Sequence, residues 1–590
     1  MEGMGIKSGR RLYENGWLEF CPSLFKDITM KTLRPLPVLG LVVGLVFSLF
    51  SYSPPLPLVK IAKGTPELVV ILKAHQTEVL QELETCYLAR ADRHELASLR
   101  DHGVSVSVLD RDSQGKEYFL VSLPSPAESS AVSALGRSLP VEGSLYLFWS
   151  DRGDPLTVLP RGIQRKPLGG ASILPFLRAY SRPESVPLSL KVNDVITTIV
   201  GQVSRANLRA HVQSLQDFET RYTTTANCEL AGQFILSYFQ SLGLEAAFEP
   251  FTFGSGTATR NVVAEVRGET DPDEIVIICA HYDSDSSNPE ITAPGADDDA
   301  SGVAAVMEAA RILSAHPLDF TVRFIAFSAE EWGLYGSRAH SAAARSDSER
   351  IIGVVNLDMI AYADAMPEDL DVVVNDASRW LAERTAQVAA TYTDLAVRRI
   401  VDASFIYSDH SPFWDQGYSA FCGIEDADVN NPFYHTPDDT VDTLNFDFFE
   451  DAAKTALAVA ADLAQPVRTG YPRTPAGLEA DSSSYASAFA AIKNVSLTWS
   501  AVAGAAGYNI YRSNTSRAGF VKINGSPVEL TAFTDRALAA ADVYYYVVTA
   551  VGPGGAESNF SREVESPPEP TRYEPEDAEA ELSSAVWRWR

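Results

Sequence analysis

The chain is 590 residues long, more than one hydrophobic core accommodates, so several domains are expected. It is 46% hydrophobic and 21% charged, the composition of soluble globular protein. A formal net charge of -29 excludes a protein built to grip nucleic acid, which needs a basic face; five cysteines without CxxC pairing (Cys21, Cys86, Cys228, Cys279, Cys422) exclude a disulfide scaffold and a cysteine zinc site.

In chain order, Met30, Lys31 and Arg34 precede an apolar run from Leu36 to Phe50 and the exit SYSPPLP. A short basic region, an apolar core and a polar, Pro-rich exit predict an export signal or N-terminal anchor within residues 1–56, with Met30 as an alternative start. The protein is therefore expected to be exported, either secreted or held at a membrane. Residues 57–188 read as a small α+β domain. Strands are expected at Leu68–Leu72, Val104–Leu109, Tyr118–Leu123 and Ser144–Phe148, and helices at Arg93–His102 and Glu128–Leu139. No catalytic residue types cluster there, and the position suits a propeptide.

Residues 189–466 alternate strands with helices. A helix at Leu230–Leu242 precedes strands Asn261–Val266 and Glu274–Ala280. Helix Ala300–Ser314, strand Thr321–Phe327, helix Gly333–Ala344 and strand Ile352–Leu357 follow. Near-continuous apolar strands joined by crossover helices predict an α/β fold whose mostly parallel sheet is covered by helices on both faces. Residues 467–475, with Pro472 and Pro475, form a linker. Residues 476–566 carry short alternating strands at Val495–Trp499, Tyr508–Tyr511, Val521–Ile523 and Tyr544–Val551, with Trp499 and Tyr508 as core aromatics of a β-sandwich. With YNIYRS and YYYVVTAVGPGGAES, this segment resembles a fibronectin type III domain, which implies contact with a surface or polymer. The Pro-rich acidic tail, 567–590, is expected to be disordered.

Chemistry concentrates in the α/β domain. His281 follows strand Glu274–Ala280, Glu330 and Glu331 follow Thr321–Phe327, and Asp358 follows Ile352–Leu357. Ligands of an open parallel sheet gather at the carboxyl ends of its strands, so three strands deliver nitrogen and oxygen donors to one edge. Asp298 arrives on the loop into the next helix, and His435 lies far along the chain in NNPFYHTPDDT. Two histidines and three acids can serve two metals, each taking one histidine and one terminal carboxylate, with Asp298 suited to bridge. Taken singly, each of these residues has an ordinary explanation: a solvated acidic loop, a helix-start charge pair, a capping aspartate. Their convergence on one sheet edge is what argues for a metal site.

The segments HYDS, GADDDASG, SAEEWGLYGS, NLDMI and YHTPDDT, in this order, resemble the zinc aminopeptidases of peptidase family M28. The resemblance implies the zinc exopeptidase fold and two Zn2+ ions bridged by Asp298. His281 and Asp358 would hold one ion, Glu331 and His435 the other. Glu330 would be the general base, and Tyr434 would support the tetrahedral intermediate. The substrates would be peptides with a free N-terminus. Asp283 is expected to orient His281, Asp438 or Asp439 to orient His435, and Asp409 and His410 match a loop near the pocket, His410 in a structural role. Trp332, Phe413, Trp414 and Phe433 are candidate pocket walls. The chain departs from relatives at Tyr407, where some carry a basic residue, and at Cys422, which has no close partner for a pocket disulfide. The alternative activity on this fold is that of a glutaminyl cyclase.

Overall fold

A computed structural model describes residues 56–177, 192–427, 431–486 and 491–566, apart from residues 66, 152–154, 161 and 170. The apolar run Leu36 to Phe50, with the export signal or anchor read from it, and the acidic tail lie outside the described residues. None of the described helices is long and apolar enough to cross a membrane.

The centre of the molecule is an eight-stranded sheet. Its strands are β1 (Glu245–Phe253), β2 (Thr257–Val266), β3 (Asp271–His281), β4 (Phe320–Phe327), β5 (Arg350–Leu357), β6 (Asp369–Val374), β7 (Ala396–Val401) and β8 (Ala420–Ile424). They lie in the order β7-β6-β8-β5-β3-β4-β2-β1. The middle four, β8, β5, β3 and β4, are mutually parallel. The expectation of a mostly parallel sheet is corrected to a mixed one: β1 and β2 form a hairpin, β2 runs antiparallel to β4, and β6 runs antiparallel to β8. The short Gly254-Ser255-Gly256 connection dictates the first of these, because a turn that tight joins only antiparallel strands.

Every residue of β4 is buried, and β3 is buried from Glu274 onward. One face is covered by helices Ala226–Ser241, Ala300–Leu313 and Phe446–Ala464. The other is covered around Phe327, Phe413, Trp414 and Tyr418. Small side chains let Ala300–Leu313 bury all residues but Arg311, so the helix packs directly onto the sheet and fixes the loop that precedes it.

Residues 58–167 form two four-stranded antiparallel sheets. One contains Leu58–Ala62, Glu78–Glu82, Cys86–Arg90 and Val106–Asp110; the other contains Phe119–Ser122, Arg137–Glu142, Leu145–Trp149 and Arg165–Pro167. Two expectations fail here. The apolar run at Leu68–Leu72 is a helix, Leu68–His75, that buries Leu68, Val69 and Leu72 and leaves Val70 exposed. The helix expected to reach Leu139 spans Pro126–Leu135, and Arg137–Glu142 is a strand. At the junction a side chain on Gly136 would collide with the Trp149 carbonyl and the Phe148 ring, so only glycine lets the strands approach.

Residues 479–566 form a three-stranded and a four-stranded sheet that share one core, including Val495, Leu497, Trp499, Tyr508 and Tyr546. Asp319, just before β4, receives Thr474 Oγ1 at 2.6 Å and Asn559 Nδ2 at 2.9 Å, which ties this sandwich to the central sheet.

Candidate metal centre

Because β3, β4 and β5 are adjacent and parallel, their carboxyl ends open together. His281 ends β3, Glu330 and Glu331 lie three and four residues past β4, and Asp358 directly follows β5. The Asp297-Asp298-Asp299 run divides its labour. The Asp299 carboxylate accepts the N–H groups of Gly302 (2.9 Å), His281 (3.1 Å) and Met359 (3.3 Å), capping the helix and joining it to the ends of β3 and β5. Asp297 accepts Ala361 N–H and Asn431 Nδ2. Asp298 alone faces the cleft.

Its two oxygens face opposite ways. Oδ1 lies 3.2 Å from His281 Nε2 and Oδ2 lies 3.2 Å from His435 Nε2. His281 Nε2 is also 3.6 Å from Asp358 Oδ1, and His435 Nε2 is 3.0 Å from Glu331 Oε2. A tetrahedral ion with bonds of about 2.0–2.1 Å separates its donors by about 3.3 Å. The observed separations of 3.0 to 3.6 Å therefore suit two ions, one per histidine. Glu331 Oε1 is buried without a hydrogen-bond partner among the described residues, which fits a metal-ligating oxygen. The imidazole and carboxylate donor set fits zinc.

The charge balance points the same way. Asp285, Asp298, Glu330, Glu331 and Asp358 line one cavity. Burial works against the charged imidazole of His281, but the surrounding carboxylates, Glu330 foremost, hold it well above its usual range. His435 is held up in the same way, chiefly by Glu331. Burial pushes the Glu331 carboxyl up to about 8 and Glu330 well above the ordinary carboxylate range. A buried pocket with so many carboxylates is stabilised by bound cations.

The positioning contacts differ in part from expectation. Asp283 meets His281 Nδ1 with its backbone carbonyl at 3.1 Å and its carboxylate Oδ1 at 3.7 Å, and that carboxylate also accepts Glu330 N–H (3.2 Å) and Thr223 Oγ1 (2.6 Å). Asp439 does not serve His435: it accepts Asp297 N–H at 2.9 Å and Asp298 N–H at 3.1 Å, fixing the backbone that carries the bridging carboxylate. Asp409 is fully buried, and burial pushes its carboxyl up to about 7 against the field of His281. Tyr434 stacks on His435 at 3.9 Å between ring centroids. His410 has the expected structural role, with Nε2 2.9 Å from the Phe405 carbonyl and its ring against Trp414.

The apolar wall is not the one expected. Phe413 and Trp414 belong to the core beneath the sheet, Trp332 packs against Tyr222 and Phe253, and Phe433 against Tyr362. Met359, Ile400, Phe405, Ile424 and Ala427 line the cavity instead, whose volume is about 740 Å³. Tyr407 lines it too, and Cys422 is buried as a free thiol. Two residues at or beside the site escaped the sequence reading. Asp285 groups with Glu331 and His435, their donor atoms within 4.8 Å of one another; its signal was its place two residues beyond Asp283 in HYDSDSS. Arg221 is fully buried and donates to the carbonyls of Tyr282 (2.8 Å), Pro294 (2.5 Å) and Gly295 (2.8 Å), bracing the loop between His281 and Asp298; nothing local in sequence marks it.

Residues 261–460 match the profile of peptidase family M28. The chain carries an M28 peptidase domain. Two curated relatives come from Pyrenophora tritici-repentis (strain Pt-1C-BFP). Leucine aminopeptidase 1 is 27% identical over 291 residues, covering 46% of this chain and 74% of the relative. A probable zinc metalloprotease is 29% identical over 337 residues, covering 46% and 69%. Among solved structures, the Legionella pneumophila LapA aminopeptidase aligns with a TM-score of 0.47 and 19% identity, covering 59% of this chain and 98% of that one. The M28 match encloses each of the candidate ligands, from His281 to His435.

Proposed function

We propose that the M28 domain is a zinc-dependent aminopeptidase that hydrolyses the N-terminal peptide bond of peptides, using two ions. The observation that carries this reading is Asp298, with one oxygen toward each histidine. His281 and Asp358 would hold one zinc, His435 and Glu331 the other, and Asp298 both. When bound, zinc supplies Lewis acidity, lowering the pKa of water toward about 7 and polarising a carbonyl.

The chain's own groups do the rest. Glu330 cannot share the direction of Glu331, and its backbone is pinned by Asp283, so its carboxylate is free to take the attacking water's proton and hand it to the leaving amine. Tyr434, beside His435, donates its hydroxyl proton to the developing oxyanion. The acid-rich cavity favours a free ammonium at the substrate's N-terminus, and Met359, Phe405 and Ile424 offer its side chain an apolar wall. In the same reading the protein is exported, secreted or anchored, and the C-terminal sandwich is a fibronectin type III-like tether to a surface or polymer.

The test is turnover of leucine anilide and its N-acetylated twin, with and without a chelator. Cleavage of the free-amine form alone, lost with chelator and restored by zinc, is expected. Chelator-resistant cleavage, or cleavage of neither form with cyclisation of an N-terminal glutamine peptide instead, refutes it.

A further inference from the structure

The cavity over the metal centre is walled on one side by residues from outside the M28 match. Gly162 to Pro167, the last strand of the N-terminal sheets and the turn before it, runs across the carboxyl edge of the central sheet. The fit is close. A side chain at Gly333, two residues past Glu331, would meet Pro167 Cδ at 3.1 Å and the Arg165 carbonyl at 3.2 Å. Gln164 Nε2 donates to Tyr434 Oη at 3.4 Å, and Arg338 Nη1 donates to the Pro167 carbonyl at 2.8 Å.

Arg165 lines the cavity with His281, Asp298 and Glu331, yet is only 8% exposed. Its Nε has no partner among the described residues, and its hydrogen bond from Nη1 to the Leu156 carbonyl is long, at 3.4 Å. A buried guanidinium with so few acceptors is costly unless something answers its charge. Burial works against that charge, and Tyr222, Asp285 and Glu331 support it through their fields without a close ion pair. Arg165 thus reaches the cavity wall with a guanidinium short of acceptors, and the ligand group that matches a planar fork is a carboxylate.

We propose that Arg165 binds the C-terminal carboxylate of a short peptide whose N-terminus lies at the metal centre, so that the N-terminal sheets restrict this enzyme to small peptides. The proposal rests on the aminopeptidase reading above. A cavity of about 740 Å³ is of the size that holds a small ligand, and Arg165 is the one arginine or lysine among the described residues that line it.

The experiment compares kcat/KM for Leu-Gly-Gly with that for its C-terminal amide, in wild type and in Arg165→Gln. Leucine anilide serves as a wild-type control that reads the aminopeptidase assignment by itself. Wild type is expected to prefer the free acid by about ten- to a hundredfold, the range of a hydrogen bond to a charged group. Arg165→Gln is expected to bring the ratio near one, mainly through KM of the acid; a structural role alone would lower both substrates together. A wild-type ratio near one overturns the proposal even if the variant does not fold, and so does a ratio that survives the substitution. If leucine anilide is also uncut, the failure belongs to the aminopeptidase reading.

Discussion

Lys166 offers a sharp test of how the N-terminal sheets are joined to the M28 domain. Its side chain has no exposed surface, and Nζ lies 2.7 Å from Asp415 Oδ2 at the end of the Ser411–Asp415 helix. Burial pulls the Lys166 ammonium below its usual range, and Asp415 opposes that. Removing one partner of a buried pair costs about 3–5 kcal/mol. Lys166→Met leaves Asp415, whose side chain is 15% exposed and can hydrate, so a loss of about 3 kcal/mol is expected. Asp415→Asn leaves a fully buried ammonium and falls nearer about 5 kcal/mol at neutral pH. In that variant the folded lysine pKa lies further below the unfolded value of about 10.4, so the unfolded chain binds more protons through the window between them. Its stability is therefore lost as pH falls and regained as pH rises toward about 10, with a slope of at most about 1.4 kcal/mol per pH unit. The double variant removes both charges and should lie within about 1–2 kcal/mol of wild type, because a buried pair exchanged for uncharged groups is often nearly neutral. Urea unfolding followed by tryptophan fluorescence measures all four proteins. Single losses below about 1 kcal/mol, or a double loss equal to the sum of the singles, would refute the reasoning.

Two predictions concern the metal centre. Glu330→Gln removes the carboxylate while keeping the side chain's shape and both histidine clusters, so it should bind metal as wild type does while turnover falls by about 10²–10⁴; loss of metal by elemental analysis would move Glu330 among the ligands. Asp439→Asn replaces one acceptor oxygen with a donor and orphans one of the Asp297 and Asp298 N–H groups, costing about 1–3 kcal/mol and about 10–100-fold in metal affinity. Competitive zinc titration reads the second effect, and an unchanged affinity would show that the Asp298 backbone needs no such brace.

How much of this was legible in sequence follows from how local each signal is. The end of β3 at His281 was readable because an uninterrupted apolar run must break where it meets a polar residue, and the same holds for Asp358 after β5. The sharing of Asp298 was readable once three strand ends converged. The helix at Leu68–His75 was not: Val69, Val70 and Ile71 are β-branched and favour a strand locally, and only the sheet beneath Leu68, Val69 and Leu72 decides for a helix. Asp439 was assigned to the neighbouring histidine because sequence distance was the only guide, whereas the fold brings it to Asp297, 142 residues away. Arg165 and Lys166 sit in IQRKP, a short stretch on which no sequence signal fell; their burial is a property of the packed domains and has no trace in the segment itself.

The character of that packing bears on whether residues 57–188 are a propeptide. A propeptide that leaves must expose what it covered, so its contact surface has to tolerate water. Here Ile406 is fully buried among Leu58, Leu80, Leu120 and Leu147, and Phe253 and Ala329 are buried among Phe119, Leu156 and Leu159. Phe176 fills the space beside Gly417, and Lys166 is buried without surface. Departure would uncover two apolar clusters and break the ion pair, the signature of an obligate interface. A protease site inserted between Leu177 and Val192 should therefore yield, after cleavage, two fragments that elute together in gel filtration and part only in denaturant, with chelator-sensitive turnover retained. A catalytic fragment that separates, stays soluble and gains activity would support the propeptide reading and remove the N-terminal wall from the substrate site.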